Sequence, residues 1–317
     1  MTMNIQDRIA NIDWNREPYG LYAPIAYTME AGGKRVRPQL AVIACELFGG
    51  NPEEVASAAM ALEVFHNFTL LHDDVMDQAE VRRGRPTVHV KWNQNTAILS
   101  GDQMLIEAYK LLASVNADKL PKVLHLFNKM ATEICEGQQY DVDFETQEQV
   151  TLEEYLKMIR LKTAVLLATA LQIGAYVAGA NEEQQEALYQ FGINIGLAFQ
   201  IQDDILDVWG DPATFGKAVG GDICCNKKTF VLLSALMMAD DEQRKALNDW
   251  FAQLLEENTE KITSVKNIYN ALGVRASCER VVEEYTNSAL AILNTLPQND
   301  ATDKLRALAM KLYARNN

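Results

Sequence analysis

Two short runs of aspartate carry the strongest chemical signal in this 317-residue sequence. Asp73-Asp74-Val75-Met76-Asp77 and Asp203-Asp204-Ile205-Leu206-Asp207 share the pattern DDxxD. A spacing of four puts Asp73 and Asp77 on one helix face, and Asp203 and Asp207 on another. Each run stands where an apolar helix runs out, behind Leu70-Leu71 in one case and Ile201 in the other. Carboxylates near a helix C-terminus oppose the macrodipole and repel one another, and a cation offsets both costs. All-oxygen ligands favour Mg²⁺ or Ca²⁺ over zinc, and the absence of a D-x-D-x-D-G loop excludes an EF-hand. One such run alone is as readily a solvated helix end. Two copies, each behind an apolar helix, point to carboxylates carried into an interior.

Cations stand close to these acids. Gly32-Gly33-Lys34-Arg35-Val36-Arg37-Pro38 sets three of them beside two glycines, where backbone can approach an anion and Arg can pair with phosphate oxygens. By itself this is an ordinary basic loop, and it lacks the P-loop spacing. Arg82-Arg83-Gly84 follows the first acidic run, and Lys217 and Lys227-Lys228 follow the second. Lys162-Thr163 precedes an apolar stretch. Salt bridges would explain any one of these pairings. Their repetition beside both runs, in a chain of net charge −14, is the informative pattern. An acidic chain repels nucleic acid and anionic lipid, so neither is an expected partner, and an anionic substrate needs a local basic site or a bound metal.

The elements that must position these groups are helices. The stretches 53–72, 97–115, 117–140, 151–159, 163–178, 182–208, 241–257, 274–293 and 302–314 carry helical periodicity. Alternating runs bounded by hairpin turns are missing. Breaks fall at Gly32-Gly33, Gly49-Gly50, Gly84-Arg85-Pro86, Gly210-Asp211-Pro212 and Gly220-Gly221. The expectation is an all-α fold, one domain over residues 1–317 with about a dozen helices. The apolar stretch Ala164–Ala180 holds Thr169 and Gln172 and reads as a buried core helix, so no stable membrane insertion is expected. The first residues do not read as a signal peptide. Five cysteines, two of them adjacent, match no disulfide framework or zinc spacing, and reduced thiols in a cytoplasm are the simplest account.

Taken in order, GGKRVRP, LLHDDVMDQAEVRRGRPTVH, GQQYD, KTAVLLA, FQIQDDILDVWGD and GK…GGDI…NKKT resemble the trans-isoprenyl diphosphate synthases, over some two thirds of the chain. The resemblance implies an isoprenoid synthase fold with a central cavity, two Asp motifs facing across it, three Mg²⁺ ions and a homodimer. It implies a prenyltransferase that joins isopentenyl diphosphate to an allylic diphosphate. Asp73, Asp77 and Asp203 look like metal ligands, with Asp74, Asp204 and Asp207 as supporting acids. Arg82, Lys162 and Lys217 would hold the allylic diphosphate, joined by Lys227 on closure. Lys34, Arg37, His66 and Arg83 would hold isopentenyl diphosphate, though a lone His such as His66 is often structural. Thr163 and Gln200 would turn oxygen dipoles to the developing carbocation. Gln138 and Asp141 would line the cavity, with Asp141 near Lys162. Cys224-Cys225-Asn226 departs from the charged residues common in that loop.

Phe68 and Thr69 stand five and four residues before Asp73, about 6–7.5 Å deeper along the helix. Phe65 lies one turn further. Core packing is the default for such rings, and the resemblance shifts it: an aromatic at that place marks short products. Thr69 is smaller than the second aromatic of many farnesyl-specific enzymes, so geranylgeranyl diphosphate is expected ahead of farnesyl diphosphate. A class I terpene cyclase shares the helices and one DDxxD but needs no isopentenyl diphosphate site. A non-catalytic partner subunit could lose the acids or cations that are all present here.

Overall fold

The computed structural model describes residues 4–211, 219–253 and 258–313. They form two compact units, Met1–Asn128 with Thr169–Glu186, and Lys129–Ala168 with Ala187–Asn317. Among the described residues the fold is all-α, as expected, apart from one hairpin.

The first unit holds α1 (Ile5–Ala10), α2 (Tyr19–Glu30), α3 (Val36–Leu47), α4 (Pro52–Met76), α5 (Val88–Lys91) and α6 (Gln94–Leu112). Helix α4 is its centre. The Asn51 side chain accepts the Glu53 N–H at its start, and Pro52 occupies the first turn, where no N–H is needed. Glu53 and Glu54 complement the dipole there. Ala56, Ala58, Ala59 and Ala61 are buried and let α3 and α6 pack close. The helix therefore reaches Asp73 as a rigid rod. The chain then reverses into a hairpin of β1 (Val81–Arg82) and β2 (Arg85–Pro86). Arg83 at φ 53° and Gly84 at φ 72° supply the two left-handed positions of its turn. Two-residue strands are too short to show a period, so this hairpin was not expected from the sequence.

Helix α7 (Leu120–Thr146) and helix α10 (Glu182–Trp209) each begin in the first unit and continue into the second. Helix α8 (Leu152–Ile159) starts with a capping box between Thr151 and Glu154. It passes through one π-helical turn, Arg160–Ala164, directly into α9 (Val165–Val177). The sequence suggested two separate helices here. The combined helix is apolar and long enough to cross a membrane, yet 78% of its most apolar window is buried within the protein. Helices at Tyr19–Glu30, Val36–Leu47, Phe230–Met238 and Thr259–Leu272 were also not among those expected. Phe230–Met238 is apolar almost throughout and buried from Phe230 to Ala235, so it has no stripe to read. Pro24 sits inside α2, where a proline breaks the pattern by which a helix is read.

Candidate functional site

In the first unit the acids of the first DDxxD meet the hairpin. Arg82 donates from Nε to Asp74 Oδ1 at 2.6 Å and from Nη2 to Asp73 Oδ2 at 3.4 Å. Asp74 is buried, and burial pushes its carboxyl up while Arg82 pulls it back. Asp73 is half-buried and Asp77 is exposed at the helix end. One turn therefore presents a graded set: Asp74 buried, Asp73 half-buried beside the same arginine, and Asp77 exposed.

Beside it lies a cluster of cations. Arg83 donates to the carbonyl of Gly32. Its guanidinium also covers Gly33, where an added Cβ would come within 3.1 Å of it and φ is 134°. That left-handed φ favours glycine. The Arg37 Nε is buried without a hydrogen-bond partner, and burial, against the pull of Glu63, brings that guanidinium down to about 10. Burial first, then the charges of Arg37, Arg83 and Arg82, hold the His66 imidazole well below its usual range. Lys34 is exposed at the mouth of this loop. Two members were not found in the sequence. Glu63 is buried three residues before His66, and Asn67 Nδ2 donates to its Oε1 at 3.3 Å. A glutamate on an otherwise apolar helix face was the available signal. Two guanidiniums and a neutral imidazole outweigh the one carboxylate, so the cluster favours an anion.

The aromatics expected to set a tunnel floor are also in this unit. Phe65 is buried and Phe68 half-buried, with ring centroids 5.4 Å apart. Phe65 meets Phe127 at 5.1 Å, which meets Tyr109 at 5.4 Å. Phe68 packs edge-on against His72 at 4.8 Å. Thr69 turns its hydroxyl back to the His66 carbonyl at 2.8 Å, leaving the rings to shape the surface.

In the second unit, Asp203 and Asp207 are half-buried while Asp204 is buried. Asp204 Oδ2 accepts from the Tyr155 hydroxyl at 2.5 Å and from the Phe230 N–H at 3.0 Å. Its Oδ1 accepts from Gln200 Nε2 at 3.3 Å. Burial, then the charge of Asp222, pushes this carboxyl up to about 8 against those three donors. Asp207 Oδ2 accepts from the Asp222 N–H at 3.0 Å, which latches the turn after Gly220 onto the motif. Lys162 and Asp141 form the expected pair, Nζ to Oδ2 at 2.6 Å. Gln138 is half-buried, three residues before Asp141 on α7. Thr163 Oγ1 donates to Gln200 Oε1 at 3.2 Å. Lys162 and Thr163 both lie in the π-helical turn, a geometry that recurs at functional sites. It is backed by Gly137, where an added Cβ would lie 2.4 Å from the Lys162 nitrogen. Lys227 is exposed, and Lys217 lies outside the described residues. Tyr155 and Asp222 were missed in the sequence, the first because a tyrosine on an amphipathic helix reads as core.

Among the described residues, no three His, Cys, Asp or Glu side chains gather as a ready-made metal cage. The donors are carboxylate oxygens in pairs. That suits Mg²⁺, which takes one or two carboxylates, keeps water and completes its shell from a substrate's phosphates.

A sequence model of the polyprenyl synthetase family matches residues 18–272. The chain is 44% identical over 220 residues to a geranylgeranyl diphosphate synthase of Methanosarcina mazei, covering 69% of this chain and 68% of that one. It is 36% identical over 319 residues to a geranylfarnesyl diphosphate synthase of Natronomonas pharaonis, covering 95% and 92%. A crystal structure of a geranylgeranyl pyrophosphate synthase superposes with a TM-score of 0.92 at 44% identity, over 98% of this chain and 96% of that one.

Proposed function

We propose that this chain, which belongs to the polyprenyl synthetase family, joins isopentenyl diphosphate to an allylic diphosphate and releases geranylgeranyl diphosphate, with farnesyl diphosphate as the shorter alternative. The observation that carries this reading is the cluster of Arg37, Arg83 and neutral His66 beside the acids of the first motif. A terpene cyclase has one diphosphate to hold. This unit has a cation cluster in addition to an acid motif, as two diphosphates require.

Asp73, Asp77 and Asp203 are the metal ligands in this reading, for three Mg²⁺ ions. Bound Mg²⁺ supplies charge neutralisation and Lewis acidity at the leaving diphosphate. Arg82, Lys162, Lys217 and Lys227 hold the allylic diphosphate by charge-assisted hydrogen bonds. Lys34, Arg37, Arg83 and His66 hold isopentenyl diphosphate and keep its double bond near the allylic carbon. When the allylic C–O bond breaks, Thr163 and Gln200 offer oxygens to the positive carbon. The double bond attacks, and the proton lost from the new chain leaves with the diphosphate. The aromatic wall of Phe65 and Phe68 keeps water away and halts growth.

Protein incubated with farnesyl diphosphate, labelled isopentenyl diphosphate and Mg²⁺ is expected to give a C20 product and none after EDTA treatment. Cyclised hydrocarbon, or no transfer at all, would refute the reaction. The two phosphate sites separate in kinetics. Arg37→Ala is expected to raise KM for isopentenyl diphosphate about tenfold or more, and Arg82→Ala to raise that for the allylic substrate. Equal effects of each on both KM values would remove the division.

The chain is also proposed to act as a homodimer. On α6, Ile98, Leu99 and Ile106 are exposed by 40%, 60% and 51%, an apolar face better suited to a partner than to water. Leu99→Glu/Ile106→Glu is expected to halve the mass measured by light scattering. An unchanged mass would place any interface elsewhere.

A further inference from the structure

Glycine is a poor helix former, yet Gly101 lies buried well inside α6. The space it leaves open is filled by one side chain. A Cβ at Gly101 would come within 2.2 Å of His72 Nε2 and 2.4 Å of His72 Cδ2. His72 reaches across from α4, the helix against which α6 packs. Its Nε2 lies 3.1 Å from the carbonyl of Ile98, also on α6. A carbonyl oxygen only accepts, so that nitrogen carries a hydrogen and donates it. A neutral and a charged ring can both supply that hydrogen. The imidazole thus sits in a notch made by a missing side chain and is anchored there by backbone.

The same ring bears on Phe68. Spacings of three and four put Phe65, Phe68 and His72 along one face of α4. The Phe68 ring touches both of the others, with centroids 5.4 Å from Phe65 and 4.8 Å from His72. Phe65 is 1% exposed and packs edge-on against Phe127, so the core fixes that neighbour. His72 and Phe68 are only half-buried. What fixes His72 is the notch at Gly101 together with the Ile98 carbonyl. One support of the Phe68 ring is therefore the core, and the other is a socket on a second helix.

We propose that Gly101 and His72 are positioning residues for product length: the notch holds the imidazole, and the imidazole holds the Phe68 ring across the path of the growing chain. This rests on the assignment of Phe68 to the product floor made above. It extends the control of length from α4 to α6.

Gly101→Ala is the test. Its methyl fills the notch, and the imidazole, at the end of two torsions, must turn away. The hydrogen bond to Ile98 and the edge contact with Phe68 are then lost together. Losing one aromatic contact shifts a preference several-fold, so the share of product longer than the parent's main product is expected to rise about threefold or more. Chromatography of the dephosphorylated products reads it. In the His72→Ala background no ring remains to displace, and Gly101→Ala is expected to add no further lengthening. The same holds in the Phe68→Ala background, where no floor remains to release. An unchanged or shorter product from Gly101→Ala, or an equal further lengthening in either background, would overturn the proposal. If Gly101→Ala does not fold by circular dichroism, His72→Ala, which removes the imidazole and leaves the notch empty, must lengthen the product, and an unchanged distribution overturns the proposal in the same way. Phe68→Ala alone separates this inference from the reading it rests on. Longer product from Phe68→Ala but not from Gly101→Ala or His72→Ala rejects the notch and keeps the floor. No lengthening from Phe68→Ala rejects the floor, and the inference with it.

Discussion

Asp73→Asn and Asp203→Asn are each expected to lower kcat by about 10²–10³-fold with little loss of stability. Asparagine keeps the size of the side chain and one oxygen, but not the charge that a divalent ion needs. Both acids are half-buried, whereas Asp74 and Asp204 are buried. Removing one charge from a run of three also relieves repulsion along the helix. Thermal melts within a few degrees of the parent, together with the collapse in kcat, would establish a chemical role. Near-normal turnover in either variant would contradict it. Asp74→Asn provides the contrast. It breaks a 2.6 Å ion pair with Arg82 from a buried position, and is expected to cost stability as well as rate.

Phe68→Ala is expected to change the identity of the product, adding at least one five-carbon unit beyond C20. The ring is half-buried, so its loss opens space at the surface of the aromatic wall without emptying the core. Phe65 behind it is 1% exposed and wedged against Phe127, and its truncation falls among core deletions that cost about 3–5 kcal/mol. Phe65→Ala/Phe68→Ala should therefore give the longest chains from the least stable protein. Chromatography of the dephosphorylated products reads both effects. A C30 or longer product from the parent protein would show that these rings are not the floor. An unchanged C20 product from Phe68→Ala would move the control of length to another residue. The geranylfarnesyl-producing relative makes a chain one unit longer than the product proposed here.

The acids were legible because a spacing of four on an apolar helix has one geometric meaning, whatever surrounds it. The pairing of Asp141 with Lys162 was legible only through resemblance, since 21 residues separate them in the chain. Tyr155 stayed hidden because it sits on a helix face that burial alone would explain, and its chemistry comes from Asp204 on another helix. The hairpin was hidden by its shortness. Phe230–Met238 was hidden because its nearly unbroken run of apolar residues erases the contrast between faces that a periodic reading needs.

A π-helical turn is one residue of surplus carried inside a helix. Each residue added to a helix turns whatever follows by about 100°. The turn at Arg160–Ala164 therefore works as a phase shifter between two stretches that would otherwise share one register. Tyr155 lies before it and Thr163 within it, yet both connect to α10, at Asp204 and Gln200. Deleting a single residue from the turn would leave a longer, more regular helix and a protein still rich in α-helix. It would also rotate Tyr155 out of step with Thr163, so that one of the two lost its partner. In this stretch a local irregularity, rather than any one side chain, keeps the reading frame of the site.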